Sequence, residues 1–366
     1  MTALAAATGS INLGQGFPDT DGPALVADTA VAAIRAGENQ YPPGPGVPVL
    51  RAAIAEHQQR HYGLVHDPDS EVLVTTGATE GIAAAVLGLC EAGDEIVMFE
   101  PFYDSYAAVA AMAGVTPRVV TLRPPDWSWD PAELEAALTP ATRLLLVNTP
   151  HNPTGKVLSP EELAEIARVA RERELVVVTD EVYEHLVYEG RHVPIATLPG
   201  MAERTVRISS AGKTFSFTGW KIGWACGPAE LVARVRAAKQ FLTFATGTPF
   251  QHAVAAGLRA GDGLVEPLRA SLRERRDLFC DGLEKLGFDV LRPAATYFAT
   301  TDVASVGEED ASAFCRRLPE RCGVVAVPSS VFYLHGEAGR SLVRWAFCKR
   351  PEVLREALER LARLAP

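Results

Sequence analysis

Lys213 lies in the run Ser209-Ser210-Ala211-Gly212-Lys213-Thr214-Phe215-Ser216-Phe217-Thr218-Gly219-Trp220-Lys221. No Asp or Glu occurs between Arg204 and Ala229, so this lysine has no local ion-pair partner. Small residues surround it, and an apolar, aromatic stretch follows. A lysine in such a setting is partly desolvated. Desolvation favours the neutral amine, the form that makes a Schiff base with a carbonyl. Ser210, three residues earlier, and Lys221, eight later, offer a hydroxyl and a cation to a phosphate. Taken alone, the run also reads as a solvated lysine in a glycine-containing loop.

Other segments carry chemistry at defined places. Leu175–Asp180 (LVVVTD) is an apolar strand that ends on a carboxylate, followed by Glu181, Val182 and Tyr183. A carboxylate there is commonly a helix cap or turn former. Asn148-Thr149-Pro150-His151-Asn152-Pro153-Thr154-Gly155 has the composition of a prolyl turn. Thr75-Thr76-Gly77-Ala78-Thr79-Glu80-Gly81 joins a strand to a helix, and the free N–H groups of such a helix start would hold a phosphate. Glycine-rich turns of this kind are common. Tyr103, after Glu100-Pro101-Phe102, is an aromatic at a helix start and equally suits a core. Arg344 sits inside the apolar run Ser341–Phe347. A guanidinium there is costly unless paired, and a carboxylate meeting its fork offsets that cost. The carboxylate is either a ligand's or an internal Asp or Glu.

The elements that must position these residues alternate. Strand-like runs at 71–75, 95–99, 143–148 and 175–180 are separated by helical patterns at 79–90, 103–113 and 160–172. Strands apolar on both faces, with helices between them, predict an α/β fold with a mostly parallel sheet covered on both sides. Ligands in such sheets bind at the carboxyl ends of the strands. Beyond Gly261-Asp262-Gly263 the character changes. A long helix over 264–286 precedes short strands at 297–301, 324–327 and 342–347, which predicts a smaller α+β domain. The expected division is a large domain at 38–262, with 1–37 and 263–366 together forming the small one.

The chain has 366 residues, 48% hydrophobic, enough for a large core. Its net charge of −10 argues against nucleic acid as a partner. Six cysteines include no C-x-x-C pair, which argues against a metal site or a disulfide framework and fits a reducing cytoplasm. No signal-peptide pattern and no membrane-length apolar run is found.

In combination, QGFPD, NQYPPGPG, GATEGI, EPFYDSY, NTPHNPTGKV, TDEVYEHLVY, SSAGKTFSFTGWKIGW and the Arg344 strand resemble the class I/II aminotransferases of fold type I. The likeness runs from about Ile11 to the C-terminus. It is greatest to the branch with kynurenine aminotransferase (glutamine transaminase K), methionine aminotransferases and bacterial N-succinyldiaminopimelate aminotransferases. The resemblance implies pyridoxal 5'-phosphate as cofactor and Lys213 as its Schiff-base lysine and the catalytic acid/base. It implies Asp180 on the pyridine nitrogen, Asn152 and Tyr183 on the phenolic oxygen, and Tyr103 stacked on the ring. Gly77, Ala78, Thr79, Ser210 and Lys221 would surround the phosphate. Arg344 would take the substrate α-carboxylate, with Asn152 and Gly16 also facing the substrate. Tyr41 would reach the phosphate of a partner subunit, so a homodimer is expected. Glu181 matches the pattern without a role, and His151 is read as a variable loop residue.

The implied reaction is ping-pong transfer of an amino group from an L-amino acid to a 2-oxo acid such as 2-oxoglutarate. The donor leans to N-succinyl-LL-2,6-diaminopimelate. Kynurenine, glutamine or methionine, or β-elimination from a cysteine conjugate, are the alternatives. A non-catalytic aminotransferase-like sensor is the reading from another class. Two departures stand out. The segment before Ile11 is roughly a dozen residues shorter than the pattern, and the small-domain G-T-Y-F appears as Ala295-Thr296-Tyr297-Phe298.

Overall fold

The computed structural model describes residues 1–364. The first strand, β1 (Ile11–Asn12), finds its partner only late in the chain. The next seven strands are β2 (Val72–Thr75), β3 (Glu95–Glu100), β4 (Thr116–Thr121), β5 (Thr142–Asn148), β6 (Val176–Asp180), β7 (Thr205–Ser210) and β8 (Gly223–Cys226). They form one sheet in the order β2-β8-β7-β6-β5-β3-β4. All neighbours pair in parallel except at β8, which runs against both β2 and β7. The expected α/β fold with a mostly parallel sheet is therefore present.

Alternation along each strand supplies both covered faces. Ile96 and Met98 of β3, with Leu144 and Leu146 of β5, join one buried cluster. Val97, Phe99, Leu145 and Val147 join another on the opposite face. This is the period-two geometry of a strand buried on both sides. The helix Pro160–Glu172 covers the second face and begins with a capping box between Ser159 and Glu162.

The sequence pattern did not indicate β4, β7 and β8 as strands. β7 (TVRISS) is interrupted by Arg207 and two serines, all buried. β8 contains Gly223, where a Cβ would lie 2.6 Å from the Gly77 carbonyl carbon. These two polar or small strands flank the Lys213 loop and fix where it starts and ends.

Past the long helix Asp262–Lys285 come β9 (Asp289–Leu291), β10 (Phe298–Asp302), β11 (Val324–Val325), β12 (Val327–Pro328) and β13 (Leu342–Ala346). A four-stranded antiparallel sheet has the order β12-β13-β10-β9. The single strand expected at 324–327 is split. β11 pairs with β1 and β12 with β13, so the chain changes partners at Ala326. Near the N-terminus, the helix Ala24–Arg35 packs against the helix Thr248–Ala260 through Val26, Ala30 and Ala253.

Candidate active site

The carboxyl ends of β5, β6 and β7 carry Asn148, Asp180 and Ser210, and all three strands point the same way. A cavity of about 410 Å³ lies over that edge. Twelve expected site residues line it: Gly16, Gly77, Ala78, Thr79, Tyr103, Asn152, Asp180, Tyr183, Ser210, Lys213, Lys221 and Arg344. Tyr41 does not. It is 87% exposed and stands edge-on to Phe244, with the ring centroids 5.7 Å apart.

Lys213 projects from a short helical turn, Ala211–Thr214, that follows β7 directly. Its Nζ donates to the Tyr297 hydroxyl at 2.7 Å. Burial brings its pKa down to about 8, although Cys348 and Asp180 pull the other way. At pH 7 about a tenth of the amine is then unprotonated, the form a nucleophile or base requires.

Asp180 is buried at the end of β6. Burial raises its pKa to about 6, against the lowering effect of hydrogen bonds from the Tyr106 hydroxyl (2.7 Å) and the Val182 N–H (3.3 Å). Among the described residues no cation forms an ion pair with it, so a cationic ligand group beside this carboxylate would relieve its burial. The adjacent Glu181 behaves oppositely. Burial pushes it up, but Arg207 and His192 outweigh that and hold it at about 2. Glu181 thus ties β6 to β7 beneath the site. Removing one partner of a buried pair costs about 3–5 kcal/mol, so losing Glu181 should destabilise this junction.

The turn after β5 is held by Asn148. Its side chain donates to the Asp180 carbonyl (2.8 Å) and accepts from the Asn152 N–H (2.8 Å). Asn152 Oδ1 in turn accepts from Arg344 at 3.0 Å. The other Arg344 donor goes to the Gly14 carbonyl at 2.9 Å, and the guanidinium lies between the rings of Phe298 and Phe332. Arg344 Nε is buried without a partner. Burial lowers the arginine's pKa to about 10, still charged at neutral pH. Among the described residues the arginine thus has no internal carboxylate, which was the structural alternative, and it keeps an open donor. His151 is buried outside the cavity lining. Burial takes its pKa down to about 3, so it is no general base at neutral pH.

The helix Gly77–Leu89 starts two residues earlier than the pattern indicated. Its first turn, Gly77-Ala78-Thr79, therefore faces the cavity, and its N-cap Thr76 makes no side-chain capping bond. Those N–H groups are available to an anion. Gly77 has φ +73°, and a Cβ there would lie 3.2 Å from Lys221 Nζ. Opposite, Gly16 has no room for a side chain: a Cβ would sit 2.4 Å from Phe298 Cζ.

Sequence reasoning missed Tyr106, which holds Asp180, and assigned no role to Tyr297, which holds Lys213. Tyr106 stood inside the quoted EPFYDSY motif, but nothing local marks its partner, 74 residues away.

Comparisons with known proteins agree with this geometry. The family model for aminotransferase class I and II matches residues 8–361. The chain is 54% identical to a probable N-succinyldiaminopimelate aminotransferase of Mycobacterium tuberculosis, over all of this chain and 95% of that one. It is 39% identical to the methionine aminotransferase of Escherichia coli, over all of this chain and 94% of that one. A solved structure of the M. tuberculosis N-succinyldiaminopimelate aminotransferase superposes with a TM-score of 0.98 at 55% identity, covering 100% and 96% of the two chains. The chain belongs to the class I and II aminotransferases, and amino-group transfer is its activity.

Proposed function

We propose that this aminotransferase holds pyridoxal 5'-phosphate in the cavity around Lys213 and moves an amino group from N-succinyl-LL-2,6-diaminopimelate to 2-oxoglutarate. The observation that carries the cofactor reading is the convergence of three unmatched groups on one cavity. These are a buried carboxylate without a cation (Asp180), an amine with lowered pKa (Lys213) and an uncapped helix start beside a lysine (Gly77–Thr79 and Lys221). They fit the pyridinium, aldehyde and phosphate of the cofactor respectively. Asn152 and Tyr183 would face its phenolic oxygen, Tyr103 its ring and Ser210 its phosphate. When bound, the cofactor supplies an electron sink for the pair left at the substrate Cα. Lys213 Nζ would take the Cα proton and hold it for return, acting first as base and then as acid. Arg344 orients the substrate through its α-carboxylate, with Gly16 closing over it.

The donor reading is supported by 54% identity to a probable N-succinyldiaminopimelate aminotransferase across the whole chain. The cations lining the cavity are Lys213, Lys221 and Arg344, and each already has a role. Distal carboxylates of the donor therefore need groups from outside this cavity. Phe17, Phe298 and Phe332 favour a second reading, an aromatic or thioether donor. Measuring kcat/KM across N-succinyl-diaminopimelate, kynurenine, glutamine and methionine decides between them. The succinylated donor should lead, and a clear lead for methionine or kynurenine would overturn the assignment. Arg344→Lys should lower kcat/KM for all donors together, because it loses the fork and keeps the charge.

A second copy of the chain is part of the same reading. Tyr41, Phe241 and Phe244 are exposed aromatics, and Tyr41 does not line its own chain's cavity. Subunits carrying Tyr41→Ala and Lys213→Ala, each nearly inactive, should regain activity when mixed, because one site of each hybrid dimer is intact. Failure to regain activity after subunit exchange would remove Tyr41 from the partner's site. The reading carries a cytoplasmic location, supported by six free cysteines. Among the described residues no helix is long and apolar enough to cross a membrane.

A further inference from the structure

Tyr297 meets Lys213 from behind the residues that line the cavity and is not itself one of them. It is 1% exposed, and its ring meets Tyr183 edge-on at 5.2 Å and Phe298 at 4.9 Å. Its hydroxyl is 2.7 Å from Lys213 Nζ and 2.8 Å from the Gly16 carbonyl oxygen. The residue before it, Thr296, has φ +70°. That conformation is an outlier for a β-branched residue and persists only where surroundings hold it. Here the Thr296 N–H donates to Leu186 O at 2.9 Å, and the Thr296 carbonyl accepts from the Tyr188 hydroxyl. Strained backbone thus leads directly into the one side chain that, among the described residues, hydrogen-bonds the Lys213 amine.

The proton count fixes the direction of each bond. A phenol has a single proton, and the Gly16 carbonyl can only accept. The Tyr297 proton therefore goes to Gly16, and its oxygen accepts an N–H from Lys213. A neutral amine has two N–H bonds and one lone pair. Holding one N–H on Tyr297, behind the lysine, stops free rotation about Cε–Nζ and turns the lone pair to the cavity side. Gly16 is on the substrate-facing loop, and Gly14 of the same loop receives Arg344. The loop that closes over the substrate is thereby bonded to both the carboxylate receptor and the holder of the amine.

We propose that Tyr297 is a positioning residue for Lys213: it takes one N–H of the amine, aims its lone pair into the cavity, and links that aim to the Gly14–Gly16 loop. This rests on the reading of Lys213 as the proton carrier.

Tyr297→Phe keeps the ring contacts and removes the oxygen. Two measurements test it. In the cofactor-free full-length protein, acetylation of Lys213 by acetic anhydride, followed across pH by mass spectrometry of its peptide, reports the titration of the amine. An accepting oxygen stabilises the ammonium more than the amine, so its loss should move that titration down by about one pH unit. In the holoenzyme, kcat should fall about ten- to a hundred-fold while KM, set largely at Arg344, stays within about twofold. An unchanged titration with near-normal kcat would leave Tyr297 a packing residue. An upward move would mean that the phenol donates to the amine and blocks its lone pair; either result overturns the proposal. If Tyr297→Phe does not fold, 4-aminophenylalanine at 297 keeps the shape and a donor for the Gly16 carbonyl but is a poor acceptor. The titration must then still move down, and no movement would likewise overturn it. The acetylation result does not depend on the cofactor, so it separates failure of this inference from failure of the functional reading.

Discussion

Lys213→Ala should fold as the parent does and lose transamination by about ten-thousand-fold, the upper end of what a single proton-transferring group contributes. The fold is expected to persist because the side chain's hydrogen bond is the one to Tyr297, and truncation removes an amine whose charged form is penalised by burial. The rate is expected to collapse because no other cavity-lining group can replace it. Lys221 lies against Gly77 at the helix start, and burial pushes the Tyr183 hydroxyl far above neutral pH, out of range for a base. The covalent check is independent of rate. Borohydride treatment of the cofactor-loaded parent should leave a stable pyridoxyl group on the peptide containing Lys213, and none anywhere on the variant. A stable adduct in Lys213→Ala would sink the assignment.

For Asp180→Asn the expected loss is about a hundred- to a thousand-fold in kcat, in line with removing one preorganised electrostatic contact from a dry site. Asparagine keeps the size and can still meet the Tyr106 hydroxyl and the Val182 N–H, so the strand end should hold its shape. What disappears is the negative charge that would keep a pyridine nitrogen protonated. The pH dependence follows from the raised pKa of about 6. Above it Asp180 is ionised and attracts a cationic ring; as pH falls through it the carboxyl becomes neutral and the attraction fades. The affinity advantage of the parent over Asp180→Asn should therefore be largest above pH 6 and shrink below it. Comparing cofactor binding by both proteins between pH 5 and 8 cancels the titration of the phosphate itself. A variant with near-normal turnover would show that this carboxylate is only a turn former.

Much of the site was legible because its residues sit on local signals. Asp180 ends a strand built on the apolar run Leu175–Val178, Gly77 to Thr79 stand where a strand becomes a helix, and Lys213 lies in an acid-free run of small residues. Each signal lies within a few residues, where side-chain size, backbone freedom and apolar period already act. The parallel sheet was legible for the same reason. Strand direction and partner were not. β8 runs against its neighbours, and β11 and β12, four residues of apolar sequence, divide between two sheets.

The sequence by itself determined the chemistry on offer: an amine in a small-residue loop, a carboxylate at a strand end, a fork inside an apolar strand and an anion-binding helix start. The tertiary structure decided what each group experiences. It put Tyr106 on Asp180 and Tyr297 on Lys213, partners 74 and 84 residues apart. It gave Glu181 and Asp180, adjacent in sequence, opposite pKa shifts, because only Glu181 meets Arg207 and His192. It also left Arg344 without an internal carboxylate. Burial and pairing depend on which distant surfaces meet, and at a few ångströms in a low-dielectric interior those contacts outweigh anything a residue's neighbours in the chain can set.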